Sequence, residues 1–218
     1  MTETLRERKK RRTRESLLRA ALELFTTQGY DRTTVDEIAA AVEVSQRTFF
    51  RYFAGKEDVA FAAQDLTERH FLAALRARPA RETPMEALRQ AVLEGWESIR
   101  EQVEEAVPVE LYLRMFRVIE ATPALLAAHL WRSAATEDTI VRVLAEREGV
   151  DADTDPRPRL AVAVFGGVIR VTERQWSTGE DGSPEAMKTL TAAYLDQVGS
   201  ALTGHWGESH ARACTGET

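Results

Sequence analysis

Apolar residues recur three and four positions apart almost from one end of the 218-residue chain to the other, and no stretch sustains strand-like alternation. Start and stop signals cut this helical pattern into pieces. Thr83-Pro84-Met85-Glu86 combines an N-cap, a first-turn proline and the glutamate of a capping box, and Thr122-Pro123 and Ser183-Pro184 repeat the cap-plus-proline pattern. Gly149 sits where a helix would close in the left-handed conformation. Together they predict an all-α chain of about nine helices. The helices are expected near 14–28, 34–42, 46–53, 56–78, 84–102, 108–121, 123–148, 156–178 and 184–202. No repeat of solenoid length is present, and residues 203–218 carry no pattern and are expected to be a disordered tail.

The first 56 residues have a character of their own. Leu17, Leu18, Ala21, Leu24 and Phe25 line one face of the first helix, which Gly29 ends. Thr34-Val35-Asp36-Glu37 is a capping box, and Val35, Ile38, Ala39 and Val42 follow as an apolar stripe. A tight turn through Glu43 and Val44 leads to Ser45, an N-cap for a helix whose buried side is Phe49 and Phe53. Two short helices joined this way predict a helix-turn-helix whose second helix can enter the DNA major groove. Arginine can pair with guanine and glutamine with adenine, which makes Gln46, Arg47 and Arg51 candidate base readers. Tyr52, Lys56 and the hydroxyls of Thr33, Thr34 and Thr48 suit phosphate oxygens, helped by the free N–H groups that open the second helix.

The overall charge first argues the other way. A formal charge of −6 and a pI of about 5.4 are not those of a nucleic-acid binder. Residues 1–56, however, carry 12 Lys and Arg against 8 Asp and Glu, whereas residues 57–218 carry 17 against 27. The acidic average hides a basic module, and the run Arg6, Arg8, Lys9, Lys10, Arg11, Arg12, Arg14 forms a basic arm directly ahead of the first helix. The lone Cys214 excludes an internal disulfide and a cysteine-built zinc site. The N-terminal run has no apolar h-region, and the longest apolar run, Leu160 to Ile169, is too short to span a bilayer. A cytoplasmic protein with no membrane partner is expected. Neither a phosphate-cradling glycine loop nor G-x-S-x-G nor H-E-x-x-H is present, so no catalytic residue, metal or cofactor is expected. His205, His210 and Cys214 have irregular spacing for a metal site.

The run Gly29-Tyr30-Asp31-Arg32-Thr33-Thr34-Val35-Asp36-Glu37-Ile38-Ala39, then Val44 through Phe53 and Lys56-Glu57, resembles the signature of the TetR family of transcriptional regulators. The resemblance covers roughly residues 13–60. It implies a homodimeric regulator, usually a repressor, that binds a palindromic operator in double-stranded DNA and is released by a small-molecule effector. It also implies that Thr34 and Thr48 contact phosphate or backbone, that Gln46, Arg47 and Arg51 face bases, and that Tyr52 and Lys56 clamp phosphates. Ser45 and Phe50 complete the candidate DNA-binding set. Glu43 stands where many members have a turn glycine, so its backbone must avoid or tolerate positive φ. Phe50 replaces a common tyrosine and loses its hydroxyl, and Arg47 is bulky where glycine is frequent.

The division expected is a DNA-binding domain over 1–56 and a sensing and dimerising domain over 57–202. In the latter, Met187, Leu190, Tyr194, Val198 and Leu202 share a stripe. The helix near 156–178 is apolar on more than one face, through Leu160, Val162, Val164, Phe165, Val168, Ile169 and Val171, with Gly166 and Gly167 in its middle. A four-helix dimer interface is expected from these two helices, with Phe165, Gly166, Ile169, Met187, Leu190, Tyr194 and Val198 at its centre. Phe71, Trp96, Tyr112, Met115, Phe116, His129, Trp131, Phe165 and Trp176 are candidates to line a ligand cavity, and Arg114, Arg170 and Glu110 to orient a polar group. The competing reading is a small-molecule-binding helical protein, or an adaptor, with a vestigial helix-turn-helix.

Overall fold

A computed structural model describes residues 4–203, which form helices α1 Leu5–Thr27, α2 Val35–Ala41, α3 Gln46–Phe50, α4 Lys56–Phe61, α5 Gln64–Ala77 and α6 Pro84–Glu97. They continue as α7 Ile99–Val103, α8 Val109–Ala121, α9 Pro123–Glu148, α10 Arg157–Thr178 and α11 Pro184–Thr203. Strands are absent among the described residues, and none of their helices is long and apolar enough to cross a membrane. His205, His210, Cys214 and the tail beyond 203 lie outside the described residues.

The predicted caps close at Thr34, Thr83 and Ser183, whereas Thr122 precedes Pro123 at the start of α9 without a side-chain cap bond. Thr34 and Thr83 each accept a hydrogen bond from the backbone of the glutamate three residues on, and that glutamate accepts one in return. Gly149 ends α9 at φ +66°, with the Val150 N–H returning to the Ala145 carbonyl. Helix α1 begins nine residues earlier than 14, at Leu5, because Thr4 and Glu7 form a further capping box and the arm consists of good helix formers. The basic run is thus the first turns of a helix. Two long predicted helices are each interrupted, 56–78 at Ala62–Ala63 and 84–102 at Ser98.

Helices α1 to α4 close a small head around Leu17, Leu18, Ala21, Leu22, Phe25, Ile38, Phe49, Phe53 and Val59, all at most 2% exposed. Leu24, expected in that core, packs against it only partly buried. Beyond the head, α6 lies between α5 and α11, and α10 packs on α9 and α11. The head joins this body through the packing of α1 on α8 and through the Arg11–Glu105 ion pair. Helix α3 packs chiefly on α2 within the head.

Candidate nucleic-acid interface and ligand cavity

Helix α3 is held from both ends. The Ser45 hydroxyl accepts from the Thr48 N–H at 3.2 Å and shares a hydrogen bond with the Thr48 hydroxyl at 3.0 Å. Phe49 and Phe53 anchor its inner side, their ring centres 5.7 Å apart, with the Arg14 guanidinium 5.0 Å from the Phe53 ring. The turn before it is left-handed at Glu43, φ +55°, the one non-glycine residue with positive φ among those described. This answers the question posed by the missing glycine: the chain tolerates the strained geometry. Hydrogen bonds from Glu43 N–H to the Ala40 carbonyl and from Val44 N–H to the Ala39 carbonyl, both 3.0 Å, hold it there.

With α3 fixed, Gln46, Arg47, Phe50 and Arg51 project together as an exposed face. The Arg51 guanidinium stands 5.0 Å from the Tyr52 ring and donates to its hydroxyl at 3.3 Å. Lys56 is tied down: its ammonium donates to the Tyr30 carbonyl at 2.9 Å and lies 4.4 Å from the Tyr30 ring centre. Burial, followed by the charges of Glu57 and Asp31, pushes the Tyr30 phenol up. Thr34 is exposed at the start of α2, and its N–H and hydroxyl hold the Glu37 carboxyl below its usual range. One member of the candidate set does not fit. Thr33 is fully buried, its hydroxyl donating to the Gly29 carbonyl at 2.8 Å and accepting from Gln28, so it braces the α1–α2 turn and cannot reach a phosphate.

The body holds a partly open cavity of about 230 Å³ between α5, α6, α7, α8, α9 and α10. Phe71, Trp96, Tyr112, Phe116, His129 and Phe165 are among the residues that line it. Phe71 and Phe165 stack at 5.9 Å, and Tyr112 meets Phe116 edge-on at 5.3 Å. The Tyr112 hydroxyl is 3.2 Å from that of Thr67, and burial pushes its phenol up. Three aromatic-spacing candidates fall elsewhere. Met115 turns into the core shared with the rest of α8, and Trp176 is buried beside it, its indole N–H donating to the Ser183 carbonyl at 3.1 Å. Trp131 is 81% exposed, because the cavity side of α9 is taken by His129, Arg132, Ser133 and Thr136.

The lining is also charged, which aromatic spacing gave no means of finding. Arg132 pairs with Asp65, Arg170 with Glu137 at 2.5 Å, and His129 lies 3.7 Å from Glu173. Of the proposed anchors only Arg170 is here; Arg114 and Glu110 line a separate surface cleft with Arg100 and Arg117. Cavity and head meet at Phe61, the last residue of α4, which is fully buried. His129 stacks on its ring at 6.3 Å and 14°, and the Arg132 guanidinium lies 5.0 Å from the ring centre. Arg132 therefore touches α4 through Phe61, α5 through Asp65, and the cavity itself.

The expected dimer residues are corrected in part. Phe165 and Ile169 line the cavity, Met187 is wholly buried, and a Cβ on Gly166 would stand 2.5 Å from the Glu137 carboxylate. All four face the protomer's own interior. Leu190, Tyr194 and Val198 are half-buried on α11. The outward face of α10 is instead Leu160, Val164, Gly167 and Val171, with Leu160 62% and Val171 51% exposed.

Residues 17–63 match the family of bacterial regulatory proteins, tetR family, and residues 82–203 match the MftR C-terminal domain. The chain is 46% identical over 202 residues to the HTH-type transcriptional regulator TcmR of Streptomyces glaucescens, covering 93% of this chain and 89% of that protein. It is 30% identical over 182 residues to MftR, a proposed mycofactocin biosynthesis transcriptional regulator of Mycobacterium tuberculosis, covering 84% and 87%. Among solved structures, a SmeT–triclosan complex superposes with a TM-score of 0.61 at 20% identity, covering 87% of this chain and 91% of that one.

Proposed function

The chain belongs to the TetR family of bacterial transcriptional regulators, and from that premise we propose a dimeric repressor whose hold on a palindromic operator is released by a small molecule in the α5–α10 cavity. The observation that carries the reading is the contact at Phe61. The residues that line the cavity, His129 and Arg132, are those that hold the end of the head's last helix. A ligand that displaces Arg132 loosens α4 and lets the head turn, which lowers affinity provided the ligand binds that state more tightly.

In the operator complex Gln46, Arg47 and Arg51 face bases, while Thr34, Thr48 and Tyr52 position the phosphates, with Ser45 setting the start of α3. The arm of α1 adds phosphate contacts, and Lys56 acts first as a brace for Tyr30. The subunits join through the α10 stripe Leu160, Val164, Gly167 and Val171 with the outward side of α11, whose residues Leu190, Tyr194 and Val198 lie alongside. Leu160, Val164, Gly167 and Val171, at spacings of four, three and four, form a stripe suited to a four-helix interface. Twofold symmetry then sets the two α3 helices about 34 Å apart, one turn of DNA. Glu68 lines the cavity with no ion pair among the described residues, so a ligand group that donates hydrogen bonds is favoured beside it.

The test is DNA binding by the full chain across a salt series, on duplexes selected from a random-sequence library. Tight binding to an inverted repeat, falling linearly with salt on logarithmic axes, supports the reading. Binding no stronger than that of an acidic control protein refutes it and favours the vestigial helix-turn-helix.

A further inference from the structure

The outward face of α3 holds one residue unlike its neighbours. Gln46, Arg47 and Arg51 are polar, but Phe50 between them is 52% exposed. The other aromatic residues of this segment are all engaged: Phe49 and Phe53 are buried, and Tyr52 is half-buried beneath the Arg51 guanidinium. Phe50 meets Phe49 at right angles, ring centres 5.5 Å apart. About half of its surface stays exposed, one helical turn after Gln46 and Arg47. The proposed subunit interface lies on α10 and α11, away from the head, and does not use it.

A bare phenyl ring on a DNA-reading face is stabilised only by an apolar group in the groove. Phosphate oxygens offer it nothing, since phenylalanine has no hydroxyl to donate. Base edges in the major groove present donors, acceptors and one apolar group, the 5-methyl of thymine. We propose that Phe50 is a specificity-determining residue that recognises a thymine methyl in each operator half-site, beside the bases read by Gln46 and Arg47. The inference rests on the DNA-reading role of α3 and adds to it a base identity that hydrogen bonding does not supply.

The experiment measures fluorescence anisotropy of a labelled duplex selected by the full-length protein from a random library. Each thymine is replaced in turn by deoxyuridine, which removes the methyl and keeps the pairing. One thymine per half-site is expected to weaken wild-type binding about fourfold when its methyl is lost, the scale of one buried methyl group. Phe50→Ala is expected to bind the parent duplex more weakly and to be indifferent to that same replacement. Phe50→Tyr keeps the ring and keeps the sensitivity. Because the ring is exposed, neither variant removes core packing, and unchanged circular dichroism checks this. The proposal is overturned if no thymine shows a methyl effect in the wild type, or if Phe50→Ala remains sensitive at the same thymine. Failure to select any preferred duplex would overturn the DNA-reading role itself, a result readily told apart from the other two.

Discussion

Glu43 offers the sharpest test of how the head is built. At φ +55° an L-residue brings its Cβ against the following carbonyl, at a cost of about 1–2 kcal/mol that glycine does not incur. Replacing Glu43 by glycine removes that strain but adds about 0.5–1 kcal/mol of unfolded-state entropy. The net expectation for Glu43→Gly is a gain of about 0.5–1 kcal/mol, or roughly 1–4 °C in melting temperature for a chain of this size. Glu43→Ala keeps the strain and loses the same charge, so it is the control that separates backbone geometry from electrostatics. Asparagine, which tolerates the left-handed region, should fall between them. Thermal melts by circular dichroism, at one fixed protein concentration because a dimer's stability depends on it, give the ranking. An alanine variant as stable as the glycine variant would show that the turn carries no such strain. The strain persists in the native chain because it permits two backbone hydrogen bonds that close α2 and aim α3.

Other expectations are equally direct. Arg147 is largely buried on α9 and donates to the carbonyls of Arg78, Pro79 and Glu82; Arg147→Met should cost about 2–4 kcal/mol in a urea titration, and a cost under about 0.5 kcal/mol would mean these bonds do not hold the α5–α6 loop. Val171→Arg should yield monomers in sedimentation velocity, whereas the same change at exposed Leu130 should not; dimers in both would place the interface elsewhere. Glu37 and Glu86 have carboxyls held below their ordinary 4.5, so their contribution to stability is complete above that value and is lost as pH falls through the lower folded values. Glu86→Gln should therefore lose less helicity than the wild type between about pH 5 and pH 3, and equal losses would refute the capping role.

Local chemistry carried most of the chain into its elements. Thr34, Ser45, Thr83, Ser183 and Gly149 act where their side chains or lack of one demand. The break at Ala62–Ala63 had no such signal, because alanine is the best helix former and Ala62 keeps helical dihedrals of φ −59°, ψ −29°. Its cause is tertiary: Phe61 is claimed by α9, and α5 leaves on its own line toward α6. Periodicity likewise marked α10 as apolar on several sides without saying which side meets its own protomer. Adjacent Gly166 and Gly167 divide that question, the first pressed against Glu137 and the second with nothing within 4 Å of an added Cβ. The charged cavity wall stayed hidden for a related reason. Asp65, Arg132, Glu137 and Arg170 pair across three helices, and such pairs look in sequence like any solvated helix face.

The link at Phe61 can also be judged by size. A guanidinium over a buried ring contributes about 1–2 kcal/mol. The Asp65–Arg132 pair, with side chains 32% and 40% exposed, adds at most about 1 kcal/mol after solvent screening. Coupling between a ligand site and a distant site is ordinarily about 1–3 kcal/mol. A ligand present at a hundred times its dissociation constant supplies about 2.7 kcal/mol toward the state it prefers. The contacts that Arg132 makes are therefore strong enough to hold the head when the cavity is empty and weak enough for one bound molecule to undo. A fully buried ion pair at the same place would resist the ligand, and an exposed one would transmit nothing. Partial burial is thus what the proposed release by a ligand requires of this contact.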